Sequence, residues 1–407
     1  MSLLSVEDAQ RRLLKATAPL ARSEILPLGE ADGRILSADI KARLTQPPFD
    51  ASAMDGYALR AADAPAPGAI LKVIGTSAAG HGFGGTLGPG ETVRIFTGAP
   101  VPAGADAILI QEDAEKLEGQ AIRTTFAVTL GRHIRPRGQD FAEGETVLKA
   151  GEQLDFSRLM LVAAMNHATV EVFARPRVAI LATGDELVSP GEQPGPHQII
   201  GSNTFGIAAL ARQAGAEVID LGIVGDDRVA ITAAVDKARA CGADILVTLG
   251  GASVGDHDLV QSTLVAAGMR LDFWKIAMRP GKPLMVGELG GMRVLGLPGN
   301  PVSSMVCGLL FMEPLLAKLT GRPPLSRLST ARTATVLSPN DKRQDYLRAR
   351  LIRDADGTLI AESYGKQDSS MMKIFARSDC LIVRPPHAPE LPVGAETAVL
   401  LLRPMVD

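Results

Sequence analysis

Cysteine and histidine are scarce in this 407-residue chain. The three cysteines, Cys241, Cys307 and Cys380, form no C-x-x-C pair, and the six histidines form no H-x-x-x-H pair. Such pairs are typical of zinc sites, and regular cysteine spacings are typical of disulfide frameworks, so the sequence argues against both. The cysteine usage favours a reducing compartment, and we expect a cytoplasmic protein.

Long apolar runs and an excess of positive charge are also missing. No uncharged apolar run approaches the roughly 20 residues that a membrane helix needs, so we expect no membrane span. The first residues lack the basic start and apolar core of a signal peptide. The net charge is −3, so no global basic field attracts nucleic acid or an anionic membrane. Any bound anion must therefore be held by a local cluster of Lys and Arg.

Motifs of several common enzyme classes are absent as well. There is no G-x-S-x-G elbow and no paired Cys and His, so nucleophilic catalysis is poorly supported. There is no Walker A loop and no Rossmann G-x-G-x-x-G. The last absence weighs against a dinucleotide-dependent oxidoreductase.

The elements that are present indicate several domains, because the chain is too long for one core. Strands alternate with helices over 176–320, which predicts a central doubly wound parallel α/β domain. Short strands punctuated by Gly and Pro over 45–147 predict a small inserted β domain, and strands after 326 predict a C-terminal, barrel-like β domain. The expected boundaries are 1–44 with 148–175 as a discontinuous N-terminal linking domain, 45–147, 176–325 and 326–407.

Residues 244–258 carry the strongest signal for a site. They open as a buried strand, break into Gly250-Gly-Ala-Ser-Val-Gly255, and end in Asp256-His-Asp258. Small residues let backbone N–H groups approach an anion. The carboxylates suit a Mg²⁺-bridged nucleotide or pterin phosphate. The alternative is a strand-to-loop turn whose glycines only relieve backbone strain.

Five segments follow strands of the predicted sheet and should meet at its carboxyl edge, where such sheets bind ligands. They are Thr183-Gly-Asp-Glu186, Ser202-Asn-Thr204, Gly250 to Asp258, Arg279-Pro-Gly-Lys-Pro283 and Pro298-Gly-Asn-Pro301. The last of these starts a helix whose free N–H groups favour an anion, with a plain helix start as the equal alternative.

Acidic residues near this edge can hold Mg²⁺ or set a general base. They are Asp185, Glu186, Asp226, Asp227, Asp256 and Asp258. Either of the pair Asp226 and Asp227 is also a good N-cap for the next helix.

Basic residues at tight Pro-Gly turns suit oxyanions, although roughly half of such residues should form only a solvated face. The set comprises Lys275, Arg279, Lys282 and Arg348, with Lys366 and Lys373 close in sequence to Ser369 and Ser370.

A series of motifs occurs in one order from end to end of the chain. They are Ser52-Ala-Met-Asp-Gly-Tyr-Ala58, Thr97-Gly-Ala-Pro-Val-Pro102, Arg137-Gly-Gln-Asp140, Thr183-Gly-Asp-Glu-Leu187, Gly201-Ser-Asn203, Gly250 to Asp258, Pro280-Gly-Lys-Pro283 and Leu297-Pro-Gly-Asn-Pro-Val-Ser303. Together they resemble the molybdopterin molybdenumtransferase family, which includes bacterial MoeA and the E domain of gephyrin.

The resemblance implies four domains per subunit and an elongated homodimer. It implies insertion of molybdate into adenylylated molybdopterin, with Mg²⁺-dependent release of AMP, to give molybdenum cofactor. The molybdopterin adenylyltransferase is the expected partner that supplies the adenylate. In that family the β module of one subunit faces the other subunit, so Asp55, Thr97 and Asp140 would complete a site across the dimer.

The resemblance also assigns roles to residues. Catalytic roles fall to Asp55, Thr97, Asp140, Glu186 and Asp258. Metal binding falls to Glu186, Asp258 and one or both of Asp226 and Asp227. Substrate binding falls to Ser202, Asn203, Gly250, Gly251, Ser253, Gly255, Arg279, Lys282, Pro283, Pro298, Pro301, Ser303, Arg348 and Ser369. Of these, Lys282, Pro283, Ser303, Arg348 and Ser369 would line the molybdate pocket.

One residue departs from the family pattern. Many relatives have Lys where this chain has Arg279, which replaces a point charge by a planar fork. Two other functions also stay open: adenylylation of molybdopterin by a related α/β domain, and a non-catalytic scaffold of the same fold. The additional β domains count against the first, and the lack of a further domain or long linker counts against the second.

Overall fold

The computed structural model of the chain describes residues 3–250, 259–322 and 325–403. By its internal contacts the chain divides into two compact units. One comprises Met1–Glu24 together with Phe173–Asp407, and the other comprises Ile25–Val172.

The first helix, α1 (Val6–Lys15), belongs to the larger unit. Ser5 caps it by accepting the N–H of Asp8 at 3.0 Å. Val6, Ala9 and Leu13 recur at helical spacing and are buried in the α/β core. The predicted linking domain instead grouped these first residues with 148–175. The four-domain boundaries remain a prediction.

The unit of residues 25–172 is built mainly of short strands. Its largest sheet has the strand order β7-β4-β6-β5-β9-β8. The strands are β1 (Ser23–Pro27), β2 (Ile40–Lys41), β3 (Ala51–Ser52), β4 (Gly56–Leu59), β5 (Ile70–Ser77), β6 (Glu91–Ile95), β7 (Ala107–Ile110), β8 (Ala114–Leu117), β9 (Ala121–Thr124), β10 (Ile134–Arg135), β11 (Thr146–Leu148) and β12 (Thr169–Phe173). The predicted β module is therefore confirmed in its class.

One α-helix, α2 (Phe156–Ala164), completes the described part of this unit, with three short 3₁₀ helices at Leu28–Glu30, Ala61–Asp63 and Gln111–Asp113. Asp155 caps α2 by accepting the N–H groups of Ser157 and Arg158. The pKa of Asp155 is lowered to about 2. The largest cause is the hydrogen bond from the Ser157 hydroxyl, and the two N–H groups add to it.

The α/β part of the larger unit has a six-stranded sheet in the order β16-β13-β17-β21-β20-β18. The strands of this sheet are β13 (Arg177–Thr183), β16 (Glu217–Val224), β17 (Ile245–Leu249), β18 (Arg270–Trp274), β20 (Met285–Leu289) and β21 (Met292–Leu297). The short strands β14 (Leu187–Val188), β15 (Ile199–Ile200) and β19 (Met278–Arg279) lie outside it. The helices are α3 (Asn203–Gln213), α4 (Arg228–Ala240) and α5 (Leu259–Ala266). Apolar residues of both faces are buried, as expected for strands covered on two sides.

The central sheet is mixed. Strands β16, β13, β17 and β21 are parallel, whereas β20 is antiparallel to both β21 and β18. The two-residue loop Gly290-Gly291 joins β20 to β21, and both glycines have positive φ. That conformation is the one a tight hairpin requires. The predicted α/β class is thus confirmed, with one antiparallel hairpin added to the parallel core.

A long helical segment from Pro301 to Leu319 crosses this core. It consists of α6 (Pro301–Cys307), a π-helical stretch (Gly308–Met312) and α7 (Glu313–Leu319). Pro314 has no N–H, so the carbonyl of Leu310 lacks its partner within the helix. The side-chain amide of Gln10 on α1 donates to that carbonyl at 2.7 Å. The segment is apolar and long enough to cross a membrane, but 83% of its most apolar stretch is buried inside the structure.

The C-terminal part forms a closed barrel of five strands. The pairing runs β23-β24-β22-β26-β25 and returns to β23, with the short β19 added beside β23. Its elements are β22 (Leu328–Thr333), β23 (Gln344–Arg353), β24 (Leu359–Ser363), α8 (Met372–Arg377), β25 (Cys380–Arg384) and β26 (Glu396–Leu401). The predicted barrel-like domain is confirmed.

Candidate functional site

Among the described residues of the predicted site, Arg348 on barrel strand β23 is the most buried charged side chain. Only 1% of the residue is exposed. Its Nε donates to Oε1 of Gln367 at 3.0 Å, and its Nη1 donates to the carbonyl of Asp368 at 2.5 Å. Within the described residues Nη2 has no hydrogen-bond partner. Burial lowers the pKa of Arg348, and the charge of Asp368 partly opposes that effect. A desolvated guanidinium with a spare donor is prepared to bind an anion.

The loop that follows Gln367 connects Arg348 to the start of α6. The side-chain amide of Asn300 donates to Oγ of Ser369 at 3.1 Å, and the N–H of Val302 donates to the Ser369 carbonyl at 3.1 Å. Ser303, the next residue of α6, is buried. Ser369, a predicted pocket residue of the C-terminal part, is therefore hydrogen-bonded to the residues that precede Ser303 at the start of α6. We call Arg348, Ser369, Asn300 and Ser303 the basic side.

The Pro298–Pro301 turn also contacts the start of α3. The side-chain amide of Asn203 donates to the Gly299 carbonyl at 2.7 Å. Ser202 lies before it, with its Oγ 3.4 Å from the sulfur of Met372 in α8. The predicted substrate residues Ser202, Asn203, Pro298 and Pro301 thus lie at neighbouring positions of one edge.

Gly250 directly follows strand β17. Its N–H donates to the carbonyl of Leu297, the residue before the Pro298–Pro301 turn, at 3.3 Å. Its φ is +101°, and an added Cβ would lie 2.6 Å from the carbonyl oxygen of Thr183. Only glycine fits such a backbone. The predicted site residues Gly251, Ser253, Gly255 and Asp258 lie outside the described residues.

The Arg279–Pro283 turn packs on α6. A Cβ at Gly281 would lie 2.7 Å from Sγ of Cys307, so this turn approaches the helix closely. Lys282 is exposed, and Pro283 is half-buried. Arg279 has a protein partner, because its guanidinium donates two hydrogen bonds to the carboxylate of Asp345 on β23.

The acidic side, defined here as Glu186, Asp226 and Asp227, is built differently. All three residues are exposed. Asp227 caps α4 by accepting the N–H of Ala230 at 2.8 Å, as the alternative reading of the sequence predicted. The N–H of Asp226 donates to Oδ1 of Asp185 at 3.0 Å. No group of three or more His, Cys, Asp or Glu side chains suited to a metal occurs in the described ranges.

The three other predicted catalytic residues lie in the unit of residues 25–172. Oδ1 of Asp55 accepts both the N–H and the hydroxyl of Thr97, at 2.7 and 2.8 Å. These bonds lower the pKa of Asp55, with the Thr97 N–H as the largest cause. Asp140 is exposed, and its N–H donates to the Gln46 carbonyl at 3.0 Å.

The loops that carry these three residues converge within their unit. Ile134 pairs with Ser52, and the N–H of Ser52 donates to the Ala99 carbonyl at 2.9 Å. The N–H of Arg137 donates to Asp50 at 2.7 Å. The three motif segments of the β module are therefore neighbours in space.

Known proteins are similar in sequence to this chain over nearly its whole length. Residues 4–166 match the family described as "MoeA N-terminal region (domain I and II)", residues 179–318 the "Probable molybdopterin binding domain", and residues 330–402 the "MoeA C-terminal region (domain IV)". The chain is 35% identical over 387 residues to the molybdopterin molybdenumtransferase of Haemophilus influenzae, covering 94% of each protein. It is 38% identical over 410 residues to molybdopterin molybdenumtransferase 2 of Mycobacterium tuberculosis, covering 97% of this chain and 98% of that one.

The chain belongs to the molybdopterin molybdenumtransferase family.

Solved structures agree with this assignment. Two crystal structures of the molybdopterin biosynthesis MoeA protein from Pyrococcus horikoshii match with a TM-score of 0.85. They are 31% and 27% identical and cover 99% and 98% of this chain and 100% of theirs. The family resemblance seen in the motifs is confirmed, and the chain is a transferase of molybdenum cofactor biosynthesis.

Three polar residues of this candidate site were not predicted from the sequence. Gln367 holds Arg348, Asn300 holds Ser369, and Asp345 holds Arg279. Asn300 lies inside the Pro298–Pro301 motif, so its position was a usable signal. Gln367 and Asp345 have no such signal, since their partners are 19 and 66 residues away.

Proposed function

We propose that this chain inserts molybdate into adenylylated molybdopterin with release of AMP, and that the basic side binds the molybdate. The observation that carries the proposal is Arg348, a buried guanidinium with one donor unused among the described residues. Leaving such a donor unpaired costs about 1–3 kcal/mol. An oxyanion ligand removes that cost on binding.

The other pocket residues suit a tetrahedral dianion. Lys282 supplies a mobile charge from an exposed position, and Pro283 borders it. Ser303 and Ser369 would supply hydroxyls; Ser369 directly follows Asp368, whose carbonyl accepts from Arg348. Hydrogen bonds between charged donors and an oxyanion are stronger than neutral ones, and the hydroxyls add further donors. Molybdate is held and oriented in this way without a covalent intermediate, consistent with the lack of a nucleophile motif.

The nucleotide and pterin phosphate are assigned to the neighbouring edge. Backbone N–H groups of the glycine-rich stretch would receive the phosphates. The residues proposed for this role are Ser202, Asn203, Gly250, Gly251, Ser253, Gly255, Pro298 and Pro301.

Mg²⁺ is part of the proposal, but the described residues alone do not form a site that fits it. The proposed ligands are Glu186 and Asp258 with Asp226 or Asp227. Because Asp227 already caps α4, Asp226 is the better candidate of the pair. A bound Mg²⁺ would supply charge to the adenylate phosphate.

The remaining parts of the proposal concern assembly and location. The chain would act as a homodimer in the cytoplasm, with the adenylate supplied by a molybdopterin adenylyltransferase. Asp55, Thr97 and Asp140 of one subunit would complete the catalytic site of the other. The four predicted domains would form each subunit.

The activity is tested by supplying purified chain with adenylylated molybdopterin and molybdate, and by measuring AMP and molybdenum cofactor. We expect both products, and we expect no adenylylation when molybdopterin and ATP are supplied instead. AMP or pyrophosphate formed only in the ATP reaction would reject the proposal in favour of the adenylyltransferase. Absence of both reactions, with stable capture of a partner protein, would favour the scaffold.

Residue roles are tested with two variants. Lys282→Ala should raise the molybdate concentration needed for half-maximal AMP release, and Asp258→Ala should abolish release while the chain stays folded. Mixing Asp55→Ala with Lys282→Ala subunits should restore activity if each site uses both subunits. No recovery after subunit exchange would reject the shared site.

A further inference from the structure

Arg279 makes contacts that an anion-binding residue does not need. Its Nε donates to Oδ1 of Asp345 at 2.8 Å, while Nη2 contacts the other oxygen of that carboxylate. Nη2 also donates to Oδ1 of Asn340 at 3.5 Å, and Nη1 lies 3.8 Å from Asp341. The hydrogen bond to the carboxylate of Asp345 is the largest cause of the raised pKa of Arg279.

The charge of Arg279 is therefore largely neutralised at its own position. Asp345 has a side chain that is only 5% exposed, so its carboxylate depends on this partner. Arg279 itself is half exposed. An oxyanion approaching this guanidinium would meet two carboxylates as well, and like charges repel it.

The ion pair also joins two parts of the proposed pocket. Arg279 lies three residues before Lys282 in the turn of the α/β part, and Asp345 lies three residues before Arg348 on barrel strand β23. The backbones are joined at the same place, where Arg279 pairs with Asp345 and the N–H of Gln344 donates to the Ala277 carbonyl at 2.8 Å. The turn with Lys282 and the strand with Arg348 thus share one attachment.

We propose that Arg279 is a positioning residue, and that its ion pair with Asp345 sets the separation of Lys282 and Arg348 around the bound oxyanion. The proposal rests on the pocket described under Proposed function. It gives Arg279 a different role from the substrate contact predicted from its motif.

The decisive variant is Asp345→Asn in the full-length chain, because the two roles predict opposite signs. If Arg279 contacts molybdate directly, removing the competing carboxylate frees it and strengthens molybdate binding. If Arg279 positions the turn, the variant weakens binding about tenfold, since a misplacement near 1 Å can cost up to about 100-fold in a positioned site. Binding is measured by calorimetry with molybdate alone, and folding by thermal melting.

Two further variants complete a cycle. Arg279→Gln should weaken binding as much as Asp345→Asn, and the double variant should be no worse than either, because both break the same link. Arg279→Lys keeps the charge but loses the fork, so we expect an intermediate affinity. Full affinity in Arg279→Lys with lost affinity in Arg279→Gln would indicate contact by charge and overturn the positioning role. This comparison decides even if Asp345→Asn does not fold.

Arg343→Gln is the matched control. It breaks the neighbouring ion pair with Asp341 and leaves Asp345 untouched, so molybdate affinity should not change.

Lys282→Ala separates the proposed molybdate pocket from the proposed positioning role of Arg279. If it weakens binding while Arg279→Gln and Asp345→Asn do not, only the positioning role fails. If Lys282→Ala leaves binding unchanged, the pocket itself fails, and the positioning role with it.

Discussion

The basic and acidic sides of the candidate site differ in how far burial and hydrogen bonds fix their polar side chains. On the basic side Arg348 and Ser303 are buried, and Ser369 is tied to α6 through Asn300. On the acidic side Glu186, Asp226 and Asp227 are exposed. This difference indicates which of the two sides is already assembled in the absence of its ligand. Protein contacts fix the basic side without a ligand, whereas on the acidic side Asp227 is held by its capping bond to α4 and, in the part of the chain that the structure describes, the exposed carboxylates do not meet at one point.

The strongest test of this contrast is Arg348→Met. We expect molybdate binding to weaken about 100-fold or more, because two or more charged hydrogen bonds are lost. The free energy of unfolding should change by less than about 1 kcal/mol, since removing an incompletely paired buried charge offsets the lost hydrogen bonds. Calorimetry and denaturant unfolding measure the two quantities. Equal losses of binding and stability would show that Arg348 is mainly a structural residue.

Neutralising the acidic side should have a smaller effect. Glu186→Gln should raise the Mg²⁺ concentration for half-maximal AMP release about tenfold, as expected for the loss of one carboxylate ligand. Stability without ligands should not change, because Glu186 is exposed. Asp226→Asn and Asp227→Asn serve as a matched pair, and only the metal ligand of the two should alter the Mg²⁺ requirement. Direct Mg²⁺ titration by calorimetry checks the assignment.

A change of about 1 kcal/mol in the free energy of unfolding is expected for Asp227→Ala, the usual cost of losing an N-cap. Asp227→Asn should cost much less, because Asn caps a helix about as well as Asp. Thermal or urea unfolding measures both variants. If the two variants were equally stable, the carboxylate of Asp227 would be free of its capping role and available to a metal.

The smallest effect concerns Asp55, a carboxylate that is already paired. Its pKa is lowered by the N–H and hydroxyl of Thr97, so it stays charged to lower pH than an ordinary Asp. Thr97→Val removes the hydroxyl bond, and the pKa of Asp55 should rise while the backbone N–H bond limits the change. The acid limb of the activity profile should move to higher pH with it. Carboxyl-carbon NMR titration measures the pKa, and an unmoved pKa would contradict the pairing.

Much of this organisation was available from the sequence, because it depends on local patterns. Apolar runs alternating with helices predicted the sheet, and the motifs at strand ends predicted which loops lie at its edge. The β20–β21 hairpin was missed although Gly290-Gly291 is a strong hairpin signal. The pairing of Arg279 with Asp345 had no local signal, because it joins residues far apart in the chain. A long-range contact of that kind is determined by packing, and no spacing in the sequence encodes it.

Strand β23, which carries Arg348 of the proposed anion site, is paired with other strands on both of its sides. Arg348 pairs across to Leu381 on one side, and its neighbour Ala349 pairs with Ser363 on the other. A strand bonded along both flanks cannot slip by one residue without turning every side chain to the opposite face. The backbone amides around Arg348 should therefore be among the slowest in the barrel to exchange with deuterium. The barrel backbone thereby fixes the position from which the guanidinium extends.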